Sequence, residues 1–133
     1  MNSSAFLLDA GGAFLLVIPV AFVLFMTGII FLEAWVLYFF KYEKFKRCLR
    51  DSMLANLVSL VIGFICMFFM KPAAIGMTPL FFIFFFLTLL SEGGMLLLLK
   101  KGQPVRTILL AALIMNVLSY LVLALIFLLP SLL

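Results

Sequence analysis

The chain has 133 residues, which is enough for one domain of ordinary size. Its residues are 68% hydrophobic and only 11% charged, whereas soluble domains are about 45–50% apolar and about 25% charged. This composition excludes a water-exposed globular surface and indicates an integral membrane protein. The net charge of +4 does not indicate nucleic acid as a partner, because the basic residues lie in two short segments rather than along one face.

The first apolar run covers residues 13–40 and contains a single charged residue. It is longer than the ~20 residues that cross the hydrocarbon core of a bilayer, so we expect a tilted or protruding helix with a kink at Pro19. The residues before it lack the positive charge and the cleavage site of a secretory signal. We therefore expect this run to be retained as the first membrane helix.

Three further apolar runs follow at residues 53–70, 78–99 and 107–129, and Pro130 marks the predicted end of the last one. The sequence thus predicts an all-α membrane protein, a single transmembrane domain with four helices. Short polar segments at residues 41–52 and 100–106 are predicted to be loops on one side of the membrane.

These two loops carry eight of the nine Lys and Arg residues, and Lys71 alone lies on the opposite side. Basic loops face the cytoplasm in most membrane proteins. We therefore expect a multi-pass protein of the plasma (inner) membrane with both loops cytoplasmic and both termini outside. The basic residues set this topology and lie near lipid headgroups; they are Lys41, Lys44, Lys46, Arg47, Arg50, Lys100, Lys101 and Arg106.

The two halves of the chain, residues 13–70 and 78–129, align with a shift of about 59 to 60 positions. Matching Lys and Arg residues are expected from topology alone, but polar residues inside the spans match as well. The matched pairs are Glu33 with Glu92, Asn56 with Asn116, and Ser59 with Ser119. The sequence therefore predicts two tandem helical hairpins related by a pseudo-two-fold axis along the membrane normal.

The matched polar residues are predicted to form two equivalent Glu–Asn clusters, one in each hairpin, near the basic end of the bundle. Glu33 lies about 12 Å from Lys41 along its helix, since a helix rises ~1.5 Å per residue, and the matched Asn lies at a similar depth on the next helix. An acid inside a membrane is typical of a cation path or proton relay. The alternative is a hydrogen-bond network that only fixes helix packing, and an inward-reaching arginine is a further alternative partner for the acids.

Other features have ordinary structural interpretations. Aromatic residues near the basic end of the first helix are predicted to anchor it at the membrane interface, and the Phe-rich run at residues 81–86 is predicted to face lipid or the core. Small residues near the acids are predicted to allow close approach of helices. The anchors are Trp35, Tyr38 and Tyr42; the small residues are Thr27, Gly28, Gly63, Gly93 and Gly94.

The chain has no His and only two Cys residues, Cys48 and Cys66, whose spacing fits neither a metal site nor a disulfide framework. We predict no metal, no cofactor and no catalytic residue, so an enzyme is disfavoured. The predicted function is transport or conduction of a proton, small cation or small solute by Glu33 and Glu92. The alternative is an accessory subunit of a larger membrane complex, and a pore-forming role is less favoured. Predicted partners are the bilayer and either copies of the chain or that complex.

Overall fold

The computed structural model describes residues 3–70, 76–100 and 102–132, with side-chain packing for residues 17–70, 76, 78–100 and 102–126. Four α-helices make up nearly all of these residues: α1 (Ser3–Phe39), α2 (Phe45–Phe69), α3 (Met77–Leu99) and α4 (Val105–Leu132). Each contains a segment long and apolar enough to cross a membrane. The prediction of an all-α membrane protein with four membrane helices is confirmed.

The helices form a four-helix bundle in which each helix packs against the next along the chain, and α4 also packs against α1. Five-residue segments, 40–44 and 100–104, join α1 to α2 and α3 to α4. Contacts between these two segments place them at the same end of the bundle, which we call the connection end. The tandem relation between the two hairpins stays a prediction.

The segment at residues 41–52 is a loop only as far as residue 44, because α2 begins at Phe45. Lys46, Arg47 and Arg50 lie on the exposed side of the first two turns of α2, whereas Cys48, Asp51 and Ser52 are buried. The charged residues therefore occupy one face of a helix, and they do not show where a helix ends. At the other terminus, α4 continues to Leu132, past the predicted end at residue 129.

The end of α1 explains the direction that the chain takes into α2. Lys41 adopts the left-handed conformation (φ 53°), and the backbone N–H of Tyr42 donates to the carbonyl of Leu37 at 3.0 Å. This is a Schellman motif with lysine in the position that glycine usually occupies. It turns Tyr42 into the core, so the predicted anchoring role of Tyr42 at the membrane interface is wrong, whereas Trp35 and Tyr38 are exposed.

The basic residues that are predicted to set the membrane topology lie at the connection end, where the structure describes them. Most of them are exposed and Lys100 is partly buried; the exposed ones are Lys41, Lys44, Lys46, Arg47, Arg50 and Arg106. Lys71 and Lys101 lie outside the described residues.

The two halves of the bundle differ in packing. A cluster of buried residues fills the half toward the connection end, and we call it the apolar plug: Ala34, Leu37, Tyr42, Cys48, Ala55, Leu96, Ile108, Ala111, Ala112 and Met115. The outer surface is covered with large exposed apolar side chains, as lipid contact requires. The other half of the bundle is more open and contains a central cavity.

The small residues only partly behave as predicted. A Cβ added at Gly93 would lie 3.6 Å from Ala112 of α4, and one added at Gly63 would lie 3.8 Å from Phe84 of α3. These two glycines face neighbouring helices. Gly28 and Gly94 have nothing within 4 Å of an added Cβ, so the predicted close approach of helices is wrong at these two positions.

Candidate functional site

Glu33 is fully buried on α1 and accepts hydrogen bonds at both carboxyl oxygens. Asn56 and Ser52 of α2 donate to Oε2, the serine at 3.0 Å, and Ser119 of α4 donates to Oε1 at 2.9 Å. The prediction that Glu33 and Asn56 lie at one depth on adjacent helices agrees with this contact. The carboxyl group therefore has three donors from two neighbouring helices.

Glu92 is equally buried on α3 and has a similar environment. Asn116 of α4 donates to its Oε2 at 2.9 Å, and Ser59 of α2 donates to its Oε1 at 2.9 Å. The amide of Asn116 uses its other hydrogen on the carbonyl of Ala112, at 3.0 Å, and this bond fixes the direction of the side chain. Glu92 thus has two donors, one fewer than Glu33.

These contacts form a closed ring through all four helices. Each Glu accepts from the Asn of its own hairpin and from a Ser of the other hairpin, so these four bonds link each helix to both of its neighbours. We call this set the carboxyl ring; it comprises Glu33, Asn56, Ser59, Glu92, Asn116 and Ser119. All six residues predicted from the sequence as polar-cluster residues meet here, but they form one ring rather than two separate clusters.

The carboxyl ring contains two acids and no basic residue. The donors to both carboxyl groups are neutral hydroxyl and amide groups. The arginines considered as inward-reaching partners are engaged elsewhere or exposed: Arg50 pairs with Asp51 at 2.7 Å, Arg47 pairs with Glu43 at 3.6 Å, and Arg106 is exposed. Two buried carboxyl groups without a basic partner favour the binding of a proton or a cation.

A cavity of about 320 Å³ adjoins the carboxyl ring on the side away from the connection end. Its polar lining includes Glu92, Asn116 and Ser119, while its walls are apolar and aromatic. Glu33 is not among the lining residues. Glu92 therefore lies between this cavity and the apolar plug, whereas Glu33 belongs to the same ring without lining the cavity.

The connection end is held together by contacts between its two segments. Lys100 pairs with Glu43, the phenol of Tyr42 donates to the carbonyl of Leu96 at 3.3 Å, and the amide of Gln103 donates to the carbonyl of Tyr42 at 3.3 Å. Burial, with a smaller effect from the charge of Asp51, raises the pKa of the Tyr42 phenol. The hydrogen bond from Lys100 lowers the pKa of Glu43. These contacts close the apolar plug.

Sequence reasoning missed two parts of this site. Ser52 was assigned to a loop, although it donates to Glu33, because its neighbours in the sequence are charged. Tyr120 and Thr88, whose hydroxyl groups lie 2.9 Å apart, line the cavity and were not singled out. Their spacing gave a signal, since Tyr120 directly follows Ser119 and Thr88 precedes Glu92 by one helical turn.

Among the described residues, no three Cys, Asp or Glu side chains come together in a way that would hold a metal ion. No protein-family model matches the chain, and neither a curated protein nor a solved structure matches it. Its function is therefore inferred from its own residues.

Proposed function

We propose that this protein is a small membrane transporter that moves a proton or a small cation, with Glu33 and Glu92 as the exchanging groups. One observation supports this above all: two fully buried carboxyl groups share a hydrogen-bonded ring without a basic partner, inside membrane-spanning helices. A charged side chain near the centre of a membrane helix costs about 2.5–3.5 kcal/mol by insertion scales. A bound proton or cation removes that cost.

The hydrogen-bond geometry of the ring suits a change of protonation. Ser59 lies 2.9 Å from the Glu92 carboxylate and 3.0 Å from the carbonyl of Asn56, and its hydroxyl has only one hydrogen. When Glu92 takes up a proton, its O–H donates to Ser59, and Ser59 turns its own hydrogen to that carbonyl. Both protonation states are then fully hydrogen-bonded without movement of heavy atoms.

The same exchange is available to Glu33. Ser52 lies 3.0 Å from its carboxylate and 3.2 Å from the carbonyl of Ile30, one helical turn away on α1. Ser52 therefore accepts from a protonated Glu33 while it donates to the backbone. Each acid thus has one serine that switches between a carboxylate and a carbonyl acceptor.

The difference between the two halves of the bundle gives the proposal a direction. A proton or cation reaches the acids through the cavity, and its release to the other side requires the apolar plug and the contacts at the connection end to separate. Exposed basic residues surround the connection end, which under the positive-inside rule is cytoplasmic. The cavity then faces the outside of the plasma (inner) membrane.

Flux measured in liposomes tests the proposal. Purified protein is reconstituted with a pH-sensitive dye inside the vesicles, a proton or potassium gradient is applied, and the flux is compared for wild type, Glu33→Gln, Glu92→Gln and the double variant. We expect the double variant to lose most of the flux. Thr27→Val is the control, because it removes an exposed hydroxyl group of α1 that lies outside the ring, the cavity lining and the connection end. Flux that is equal in all variants would rule out the proposed role of the acids.

A second candidate is an accessory subunit of a larger membrane complex, in which the ring only fixes helix packing. Every buried side-chain polar atom among the described residues has a hydrogen-bond partner, which favours this packing role. The mass of the protein purified in mild detergent distinguishes the candidates. A lone homogeneous oligomer supports transport by copies of this chain, whereas stable co-purification with other subunits supports the accessory role.

A further inference from the structure

The central cavity is larger than a proton or a metal ion needs. Its volume of about 320 Å³ lies at the lower end of the ~300–1,000 Å³ that small-molecule sites occupy. It extends from the carboxyl ring past Gly63 and Phe64 of α2 to Met67, almost to the end of that helix. The cavity therefore has the dimensions of a site for a small organic molecule.

Aromatic side chains enclose this space. Each helix contributes one to the lining: Phe25 of α1, Phe64 of α2, Phe84 of α3 and Tyr120 of α4. The faces of aromatic rings attract cations within about 6 Å, by ~2 kcal/mol or more when both groups are desolvated. An apolar body and a positive charge are thus both favoured in the same cavity.

The Tyr120 ring is held in place on its outer side. Phe81 and Phe85 pack against it in T-shaped arrangements, with ring centroids 5.2 and 5.1 Å away, and its hydroxyl lies 2.9 Å from that of Thr88. This wall of the cavity is therefore preorganised. A rigid aromatic wall binds a ligand with less loss of conformational entropy than a mobile one.

The charge in the cavity comes from one of the two acids. Glu92 lines the cavity, whereas Glu33 does not. Glu92 also has one donor fewer, since Ser52 has no counterpart beside it: the residue matched to Ser52 by the shift of 60 positions is Ala112. A carboxylate has about four acceptor positions and two are used here, so Glu92 can accept from a further donor.

We infer that the cavity binds an apolar organic monocation, such as an aromatic ammonium ion, with Glu92 as the counter-charge and the four aromatic side chains as the walls. This inference rests on the proposed function and gives its substrate class. Among the residues that the structure describes, the cavity lining includes no Lys or Arg to repel such a ligand. Glu33 serves as the acid that exchanges its proton without contacting the ligand.

Equilibrium binding to the purified protein tests the inference without any transport step. The probe is radiolabelled benzyltriethylammonium, and the competitors are tetramethylammonium, which has the charge without the apolar body, and N,N-diethylbenzamide, which has a similar body without the charge. We expect saturable binding at one site that neither competitor displaces at equal concentration. The absence of saturable binding, or displacement by the neutral amide alone, would overturn the inference.

Two matched pairs of variants locate the site. Glu92→Gln is expected to weaken binding about ten-fold or more, since a desolvated charge pair is lost, whereas Glu33→Gln changes it by less than about three-fold. Gly63→Leu fills the cavity opposite Phe84 and is expected to abolish binding. Its control, Gly28→Leu, adds the same side chain on the exposed surface of α1 and is expected to bind normally. The glycine pair keeps the test decisive if Glu92→Gln fails to fold.

The outcomes separate this inference from the proposed function. Proton flux that depends on Glu33 and Glu92 in a protein that does not bind benzyltriethylammonium overturns the substrate class and leaves proton transport intact. Saturable binding that Gly63→Leu abolishes, in a protein without any flux, supports the binding site and overturns transport. Equal loss of binding in Gly63→Leu and Gly28→Leu places the ligand elsewhere and overturns the assignment of the cavity.

Discussion

Ser119 of α4 donates a hydrogen bond to Glu33 of α1 at 2.9 Å, across 86 positions of the chain. The corresponding bond from Ser59 of α2 to Glu92 of α3 spans 33 positions. These two bonds connect the two hairpins, whereas the Asn–Glu bonds lie within each hairpin. The serines of the ring therefore join the hairpins, and the asparagines join the helices of each hairpin.

Substitution of Ser119 by alanine leaves Oε1 of Glu33 without its donor. We expect Ser119→Ala to lower the free energy of unfolding by about 1 kcal/mol, between the ~0.6 kcal/mol average for side-chain hydrogen bonds in membranes and the larger cost of an unpaired buried oxygen. Reversible unfolding in mixed micelles with increasing SDS measures the effect, with Trp35, the single tryptophan, as the fluorescent probe. Ser91→Ala is the control, because Ser91 donates to Thr88 within α3. Equal effects of the two substitutions would contradict the role of the ring.

Much of the architecture was predictable because lipid imposes a simple rule on sequence. Long apolar runs must be helices, so the four spans follow from composition, and scarce polar residues inside them must face each other rather than lipid. Glu33 and Asn56 were therefore identifiable as neighbours, whereas the contact of Ser119 with Glu33, which joins the two predicted clusters into one, was not. Which serine would bond to which glutamate was not predictable, because it depends on how the two hairpins pack.

Three features of the structure were not predicted from the sequence. Residues 45–52 were predicted to be a loop, because their charges lower the local hydropathy. In the structure the charges occupy one exposed face of α2, and Ser52 lies on the other face. Tyr42 was predicted to be an interfacial anchor. Its burial was not predictable, because it depends on Lys41 adopting a left-handed conformation that lysine rarely takes. The cavity also escaped, because it depends on the packing of side chains from four helices.

Substitution of the two asparagines by alanine leaves the two glutamates with different numbers of hydrogen-bond donors. After Asn56→Ala, Glu33 keeps Ser52 and Ser119 as donors, whereas after Asn116→Ala, Glu92 keeps Ser59 alone. We expect Asn116→Ala to be the more destabilising substitution, by about 1 kcal/mol, the typical net contribution of one hydrogen bond. The same unfolding assay in micelles compares them. A larger loss in Asn56→Ala would show that the additional serine does not compensate for the missing amide.

The ion pair at the connection end predicts a dependence of stability on pH. The hydrogen bond from Lys100 lowers the pKa of Glu43 from its ordinary value of 4.5. The folded state therefore binds this proton more weakly than the unfolded state, so the pair stabilises the protein above that pKa and the contribution is lost as the pH falls through the lower, folded value.

Glu43→Gln is accordingly expected to melt at a slightly lower temperature than wild type at pH 7, and the difference is expected to shrink as the pH falls below 4.5 and to vanish below the lowered pKa of Glu43. Thermal unfolding of both proteins at a series of pH values measures this. Lys100→Gln is the matched variant, because it removes the same pair from the other side. A difference in melting temperature that does not change with pH would mean that Glu43 acts through packing rather than charge.

The contrast between the hollow and the packed half of the bundle predicts a pattern of chemical accessibility along α4. Leu123 lines the cavity, whereas Met115, eight positions earlier, belongs to the apolar plug and has no exposed surface. The test uses a background in which Cys48 and Cys66 are replaced by alanine, with a single cysteine introduced at position 123 or at position 115. We expect the cysteine at position 123 to react with a small cationic methanethiosulfonate reagent at least about ten-fold faster than the one at position 115, because only a hydrated thiolate is reactive. Mass spectrometry of the labelled protein in liposomes gives both rates. Comparable rates would show that water reaches the plug as readily as the cavity, in which case the acids of the carboxyl ring are accessible from both sides and the chain has no closed end.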